Sequence, residues 1–581
     1  MEHSYVCPAG HGPAAMDLPL KQWIARLANG ISPASLAQAQ SDWLAHLMVS
    51  PTKQTELSAS ALRRSLAWWL ALVSSEKDAE ADEAMAVQDK RFARPEWKQP
   101  PFDALARAFL STQQWWEEAC RGVRGVSKHH EDQVAFVARQ WLDMVSPSNF
   151  VATNPEVLKQ TLLTGGANLA NGWINWVRDA AAVAGDAKPR GVEAFLPGKA
   201  VALTPGKVVM RNELAELIQY EPTTATVLRE PVFIVPAWIM KFYILDLTPE
   251  DSLVKYLVDN GHTVFIVSWR NPRSGQAGLG MEDYVRHGVF ESLDTIRSLY
   301  PESDVHAAGY CLGGTLLAIS AALPECPHAI RTLTLFAAQT DFSEPGELGL
   351  FMDESQISFL EDLMTENGYL DGRRMAGAFQ LINSKDLVWS KLVHEYLMGA
   401  TTPMTALRAW NADATRMPAR MHAEYLRHLY LRNDLAEGRY RCTSHEPVDL
   451  SRIGVPMFVV ATENDHVSPW KSVYRIHRLV DSPIDFLLTS GGHNVGIVNP
   501  PAGPAAHTAA SYRKAHHAAR KAPAEPDEWF ASAQYSHGSW WPAWTHWLRK
   551  HSSGEIATLP VQGVAVNGKE IPAPGSYVKE S

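Results

Sequence analysis

Apolar residues along this chain fall into two textures. Up to about residue 200 they recur at helical spacing, as in "LAQAQSDWLAHLMVS", "SALRRSLAWWLALVSS", "QQWWEEACRGV" and "EDQVAFVARQWLDMVSP", one stripe of a 3.6-residue period in each. This predicts a mostly helical N-terminal domain over 1–200, closed by the linker-like "DAKPRGVEAFLPGK". From about 205 the apolar residues collect into short unbroken runs at Pro231–Trp238, His262–Trp269, Asp304–Gly309, Arg331–Ala338, Val455–Thr462 and Ile484–Ser490. Runs of that length without alternation suit strands buried on both faces of a parallel sheet. Helical stretches such as "PEDSLVKYLVDNG" and "EDYVRHGVFESLDTIRSLY" lie between them. Strand alternating with helix predicts an α/β domain, a mostly parallel doubly wound sheet, over 201–560. A strand-poor interval at about 341–445 reads as an insertion suited to form a lid or cap, and the Pro/Gly-rich 561–581 reads as a loose tail.

Composition narrows the function classes. At 581 residues, with 46% hydrophobic and 20% charged positions, the chain is an ordinary globular protein with room for more than one domain. A net charge of −10 with no Lys/Arg stripe argues against nucleic acid as the main partner. The five cysteines, Cys7, Cys120, Cys311, Cys326 and Cys442, are scattered and form no C-x-x-C pair, so neither a disulfide framework nor a zinc site is expected. No apolar run is long enough to span a membrane, and the first residues lack the pattern of a secretory signal, so a cytoplasmic location is expected. Three of the tryptophan pairs, Trp68-Trp69, Trp115-Trp116 and Trp540-Trp541, suit either core packing or an amphipathic surface that meets something apolar.

The stretch "HAAGYCLGGTLL", His306–Leu317, carries the candidate chemistry. Gly309-Tyr310-Cys311-Leu312-Gly313 has the glycine-flanked form of a nucleophile elbow, a sharp strand-to-helix turn that exposes the central side chain. The partial positive charge of the helix N-terminus favours a thiolate at Cys311. The backbone N–H of Leu312 is placed for an oxyanion hole, and a second donor is expected from the loop after the first strand run, at Trp238 or Ile239. In an α/β-hydrolase fold the acid follows one late strand and a histidine the next. "VPMFVVATENDHVSPW" supplies Asp465 and "IDFLLTSGGHNVGIVNP" supplies His493, which would take the thiol proton while Asp465 fixes its tautomer. Glu463 is the alternative acid, His466 lies in the acid's loop, and His306 reads as a satisfied core histidine. The other four cysteines lack an elbow setting.

With these residues placed, the chain resembles the polyhydroxyalkanoate synthases, most closely their class I. "GYCLGG" resembles that family's lipase-like box, in which Cys replaces Ser. "VPAWIMKFYILDLTPEDSLVKYLVDNGHTVFIVSWRNP", "ENDHVSPW" and "GGHNVGIVNP" resemble its strand, Asp and His blocks. "RQWLDMVSPSNFVATNPEVL", "HGSWWPAWTHWL", "DLVWSKLVHEYLMG" and "WNADATRMPARMHAEYLRHLYL" resemble its N-terminal, C-terminal and insertion regions, so the likeness runs from about 89 to 550. The resemblance implies an α/β-hydrolase fold with a helical N-terminal domain and a cap. It implies Cys311 as acyl-accepting nucleophile with Asp465 and His493. It implies polymerisation of (R)-3-hydroxyacyl-CoA, foremost 3-hydroxybutyryl-CoA, with release of CoA and with no cofactor or metal. It further implies a homodimer associated with polyester granules. Three alternatives stay open: a synthase for medium chain lengths, a thioesterase or esterase on the same scaffold, and a non-catalytic granule coat. A thiol suits the polymerase, because exchanging one thioester for another keeps the acyl group activated for the next hydroxyl.

Overall fold

The computed structural model describes residues 30–73, 89–185, 187–326, 330–372, 384, 388–443 and 446–580. Cys7 and the N-terminal segment lie outside them. The chain divides into two units, one of 25–189 with 376–403 and the other carrying 190–375 and 404–581.

The first unit is helical, as its periodicity predicts: α1 Pro33–Met48, α2 Pro51–Val73, α3 Phe102–Cys120, α4 Lys128–Met144, α5 Pro155–Thr164 and α6 Ala167–Ala184. Side-chain oxygens of Ser32, Ser127 and Asn154 cap the first-turn amides of α1, α4 and α5. α1 packs on α4 and α2 on α3. Arg91 joins buried Asp89 and Asp143 at 2.8 and 2.7 Å. Part of the interval expected as a cap belongs here. A π-helical turn at Leu392–Leu397 packs on α6, where Asn168 Nδ2 donates to the Leu397 carbonyl at 2.7 Å and Lys391 pairs with Asp179 at 2.5 Å.

The second unit is built on a ten-stranded sheet. Its strands are β1 Gly206–Arg211, β2 Ala215–Tyr220, β3 Val232–Val235, β4 Val264–Trp269, β5 Val305–Tyr310, β6 Ile330–Phe336, β7 Met457–Thr462, β8 Ile484–Thr489, β9 Ser511–His517 and β10 Gln534–His537. The order across the sheet is β1-β2-β4-β3-β5-β6-β7-β8-β9-β10. The six central strands, β4 to β8 in that order, are parallel, and they are the six apolar runs of the sequence. β3, β4, β5 and β7 are buried along their whole length, which is why their sequences do not alternate. The flanking pairs at both ends are antiparallel.

The final segment is docked, where its composition suggests a loose tail. Val208 donates to the Ile571 carbonyl at 2.9 Å and Ala573 to the Gly206 carbonyl at 2.8 Å, so the tail covers the outer edge of β1. Beyond it, Glu216, whose side chain is fully buried, accepts from Ser576 N at 2.8 Å, Ser576 Oγ at 2.7 Å and Tyr577 N at 3.0 Å. Tyr577 lies under the guanidinium groups of Arg211 and Arg270. Proline and glycine here shape tight turns, and the partners that order them are hundreds of residues away. Removing residues 575–581 leaves the Glu216 carboxylate short of its donors, at a cost of about 3 kcal/mol. The truncated chain is expected to melt several degrees lower by calorimetry, and an unchanged melting temperature contradicts the docking.

Candidate active site

The site forms at the C-terminal ends of the parallel strands, where the buried β5 meets the helix Leu312–Ala322. Cys311 sits between them at φ 53° and ψ −128°, a strained conformation for a residue with a Cβ. The turn is tight because its glycines allow it. A Cβ on Gly309 would stand 2.4 Å from Gly314 Cα, and one on Gly313 would stand 2.2 Å from the Val235 carbonyl oxygen. The Cys311 amide donates to the Phe336 carbonyl at 2.8 Å, and its own carbonyl accepts from Gly314 N at 2.9 Å. The side chain is left facing the strand ends and is 8% exposed.

The acid and the histidine arrive on the loops after β7 and β8. Asp465 is buried, while the alternative acid Glu463 and the neighbouring His466 are exposed. Asp465 Oδ2 accepts from His493 Nδ1 at 2.7 Å and from Thr462 Oγ1 at 2.8 Å. Asp465 Oδ1 accepts from the amides of Val467 at 2.9 Å and Ser468 at 2.8 Å. A carboxylate with four donors is fixed in place and in its ionised form. Nδ1 of His493 therefore carries a proton, and the imidazole lies within electrostatic reach of Cys311. His306 behaves as a core histidine: its ring nitrogens meet Thr332 Oγ1 at 2.8 Å and Ser552 Oγ at 3.0 Å, and burial lowers its pKa to about 3.

Burial opposes charge on both members of the pair, and mutual attraction outweighs it. Asp465 is held below its ordinary 3.8, because the His493 imidazolium and the hydrogen bonds from His493, Ser468 and Thr462 overcome desolvation. His493 is held well above 6.5, because the charges of Asp465 and Cys311 and the hydrogen bonds to both overcome desolvation. Stability from the depressed Asp465 is present above its unfolded value and lost as pH falls through its native one. Stability from the raised His493 is present below its unfolded value and lost as pH rises through its native one. The pair therefore contributes most between pH 3.8 and 6.5. The difference in melting temperature between wild type and the Asp465→Asn/His493→Gln double variant is expected to be largest in that window and to shrink above it. A difference that grows toward alkaline pH contradicts this assignment.

The other described cysteines stand away from the elbow. Burial raises the pKa of Cys120 to about 11 and of Cys326 and Cys442 to about 12, which leaves them inert thiols. Among the described residues no group of His, Cys, Asp and Glu is arranged to hold a metal ion.

The expected oxyanion donors lie on two sides of the elbow. Leu312 is the first residue of the elbow helix, so its amide has no acceptor within that helix. The loop after β3 is pinned through its carbonyls, since Trp238 O accepts from Thr415 Oγ1 at 2.5 Å and Ile239 O from Thr415 N at 3.2 Å. The amides of Trp238 and Ile239 meet no acceptor among the described residues. The Trp238 ring packs on Tyr284 and Tyr425.

Two neighbours of the thiol were not singled out by the sequence. Tyr425 and Tyr430 stand five residues apart in the π-helical turn Tyr425–Leu431, with ring centroids 5.1 Å apart. Burial first, and among their neighbours the charge of Cys311, holds both phenols protonated. A five-residue spacing aligns side chains on a π-helix and not on an α-helix, so the periodicity of "AEYLRHLYL" gives no α-helical signal for the pair.

Comparison with known proteins agrees with this geometry in two stages. The α/β hydrolase fold model matches residues 230–500. The models for the poly-beta-hydroxybutyrate polymerase (PhaC) N-terminus and for the poly-beta-hydroxybutyrate polymerase N terminal region match residues 88–257 and 11–53. The poly(3-hydroxyalkanoate) polymerase of Methylorubrum extorquens is 42% identical over 497 residues, 84% of this chain and 80% of the relative. The polymerase subunit PhaC of Cupriavidus necator is 34% identical over 584 residues, 99% of this chain and 96% of the relative. Poly(3-hydroxyalkanoate) polymerase 2 of Ectopseudomonas oleovorans is 34% identical over 501 residues, 84% of this chain and 86% of the relative. The fold is thus that of the α/β hydrolases, and the chain is an enzyme on that scaffold. It belongs to the poly(3-hydroxyalkanoate) polymerase family. The likeness reaches the first 85 residues and the tail, beyond the blocks quoted above.

Proposed function

We propose that this chain joins (R)-3-hydroxyacyl units of coenzyme A thioesters into a polyester through an acyl thioester on Cys311. The observation that carries this is a cysteine on a strained elbow, within electrostatic reach of a histidine that an enclosed carboxylate orients, in a chain of the polymerase family. His493 takes the Cys311 proton and the thiolate attacks the substrate carbonyl. The oxyanion is met by the amide of Leu312 and by that of Trp238 or Ile239. The C–S bond to CoA breaks, the CoA thiolate takes the proton from His493, and free CoA leaves. The 3-hydroxyl of a further hydroxyacyl-CoA then attacks the Cys311 thioester, and the C–S bond to Cys311 breaks. The freed thiolate takes back the proton that His493 receives from the hydroxyl. The lengthened acyl-CoA re-acylates Cys311 as in the first step, releasing CoA. His493 receives the hydroxyl proton, because Asp465 already has four donors and faces Nδ1.

Low exposure of Cys311 and Asp465, with the buried Tyr425 and Tyr430 within electrostatic reach of the thiol, limits water at the acyl group. The poly-beta-hydroxybutyrate descriptions of the matching N-terminal models favour 3-hydroxybutyryl as the unit. The helical unit exposes Trp69, Leu162, Leu163 and the stacked pair Trp173 and Trp176, apolar side chains of the kind that would rest on a polyester granule. Incubation with (R)-3-hydroxybutyryl-CoA, following free thiol and turbidity together, is the test. Matched release of CoA and growth of turbidity are expected. Thiol release with only soluble 3-hydroxybutyrate overturns the polymerase reading in favour of a thioesterase.

A further inference from the structure

The loop that carries His493 is held from two sides. From one side Trp540 Nε1 donates to the Gly496 carbonyl at 3.0 Å and Trp541 Nε1 to the Ile497 carbonyl at 2.9 Å. Both tryptophans are buried. From the other side the contact comes from the nucleophile's own strand. Tyr310 is the last residue of β5, directly before Cys311, and is buried. Its hydroxyl donates to Asn494 Oδ1 at 2.7 Å, with the His493 carbonyl 3.4 Å away. Its ring lies 5.6 Å from the His493 imidazole at an interplanar angle of 31°. Asn494 is itself fixed, because its carbonyl accepts from Val498 N at 2.8 Å. Burial and the nearby charges of Cys311 and Asp465 hold the Tyr310 phenol protonated, so it remains a donor.

We infer that Tyr310 is a positioning residue for His493, setting the distance between base and nucleophile by tying both to the end of one buried strand. The backbone of Tyr310 fixes where Cys311 begins its turn, and the hydroxyl of the same residue fixes the residue after His493. A shift of the loop then requires breaking a partly buried hydrogen bond, which a sub-ångström drift of the imidazole does not repay. Asp465 orients the ring about Nδ1 but does not hold the backbone that carries it. Neither partner touches the reacting atoms in this assignment, so the effect falls on the chemical step and not on substrate binding.

This inference rests on the Cys311/His493 reading, and the experiment separates the two. Tyr310→Phe removes one oxygen and keeps the ring against His493. Initial CoA release from (R)-3-hydroxybutyryl-CoA is measured for Tyr310→Phe, Asn494→Leu and the double variant, with Cys311→Ala as the reference. Each single variant is expected to lower kcat on the order of tenfold with KM unchanged. The double variant is expected to be no worse than either single one, because both break the same bond. Wild-type kcat in Tyr310→Phe, or losses that multiply in the double variant, overturns the inference. Asn494 is only partly buried, so its variant gives the same readout should Tyr310→Phe fold poorly. Turnover by Cys311→Ala would instead overturn the underlying reading, whatever Tyr310 does.

Discussion

Cys311→Ala is expected to bring CoA release down to the uncatalysed level, a loss on the order of a thousandfold or more. Nothing else near the elbow can take the acyl group. The other described cysteines are pushed to about 11 and 12 by burial and are not at the strand ends. The substitution is structurally mild, since alanine also has a Cβ and meets the same strain at φ 53° that cysteine already accepts. A melting temperature close to wild type with no turnover therefore separates catalysis from folding. Cys311→Ser is the sharper companion. An oxygen ester lies downhill from a thioester, so acyl transfer onto serine would discard the activation that the next hydroxyl needs. A serine enzyme is expected to acylate poorly and to elongate less. Wild-type polymer yield from Cys311→Ser would refute the account of why the elbow carries a thiol.

Asp465→Asn carries the second large effect, a loss in kcat on the order of ten-thousandfold by analogy with the same change in a serine-protease triad. The hydrogen bonds dictate how the amide must sit. Val467 N and Ser468 N both donate to Oδ1, so the asparagine oxygen has to take that place. The amide NH2 then occupies the Oδ2 position, facing His493 Nδ1 and Thr462 Oγ1. Two donors cannot meet there, so the imidazole moves its proton to the nitrogen that faces Cys311. The base is then blocked without any change in fold. Kinetics and calorimetry on the same preparation check this. A variant that keeps more than about a tenth of wild-type kcat would show that the carboxylate does not set the tautomer.

The six central strands were legible because burial on both faces leaves an unbroken apolar run, and each expected run overlaps an observed strand. β1, β2, β9 and β10 were not. β9 and β10, "SYRKAHH" and "QYSH", are polar strands at a sheet end, and β2 places the charged Glu216 at a fully buried position. That position makes sense only once Ser576 and Tyr577 return to it, a contact 360 residues away that no local pattern encodes. The same limit moved part of the expected cap. Residues 376–403 group with the helical unit, and its first boundary falls at 189 instead of 200, because packing against α6 outranks order in the chain.

For the site, chain order and position after each strand pointed to Cys311, Asp465 and His493. The sequence points to Asp465 over Glu463 in the same short loop, and the two differ in burial, Asp465 being buried and Glu463 exposed. Thr462, Tyr310, Asn494 and the Tyr425/Tyr430 pair were silent in the sequence, for their roles come from which loops meet across the strand ends.

The central claim is that the growing chain is held on Cys311. Mixing the enzyme with (R)-3-hydroxybutyryl-CoA, quenching in acid, digesting and measuring peptide masses tests it most directly. Acyl adducts are expected on the peptide containing Gly309-Tyr310-Cys311, labile to hydroxylamine as thioesters are, and none in Cys311→Ala. Polymer formation with that peptide unmodified, or with the adduct on another residue, would contradict it.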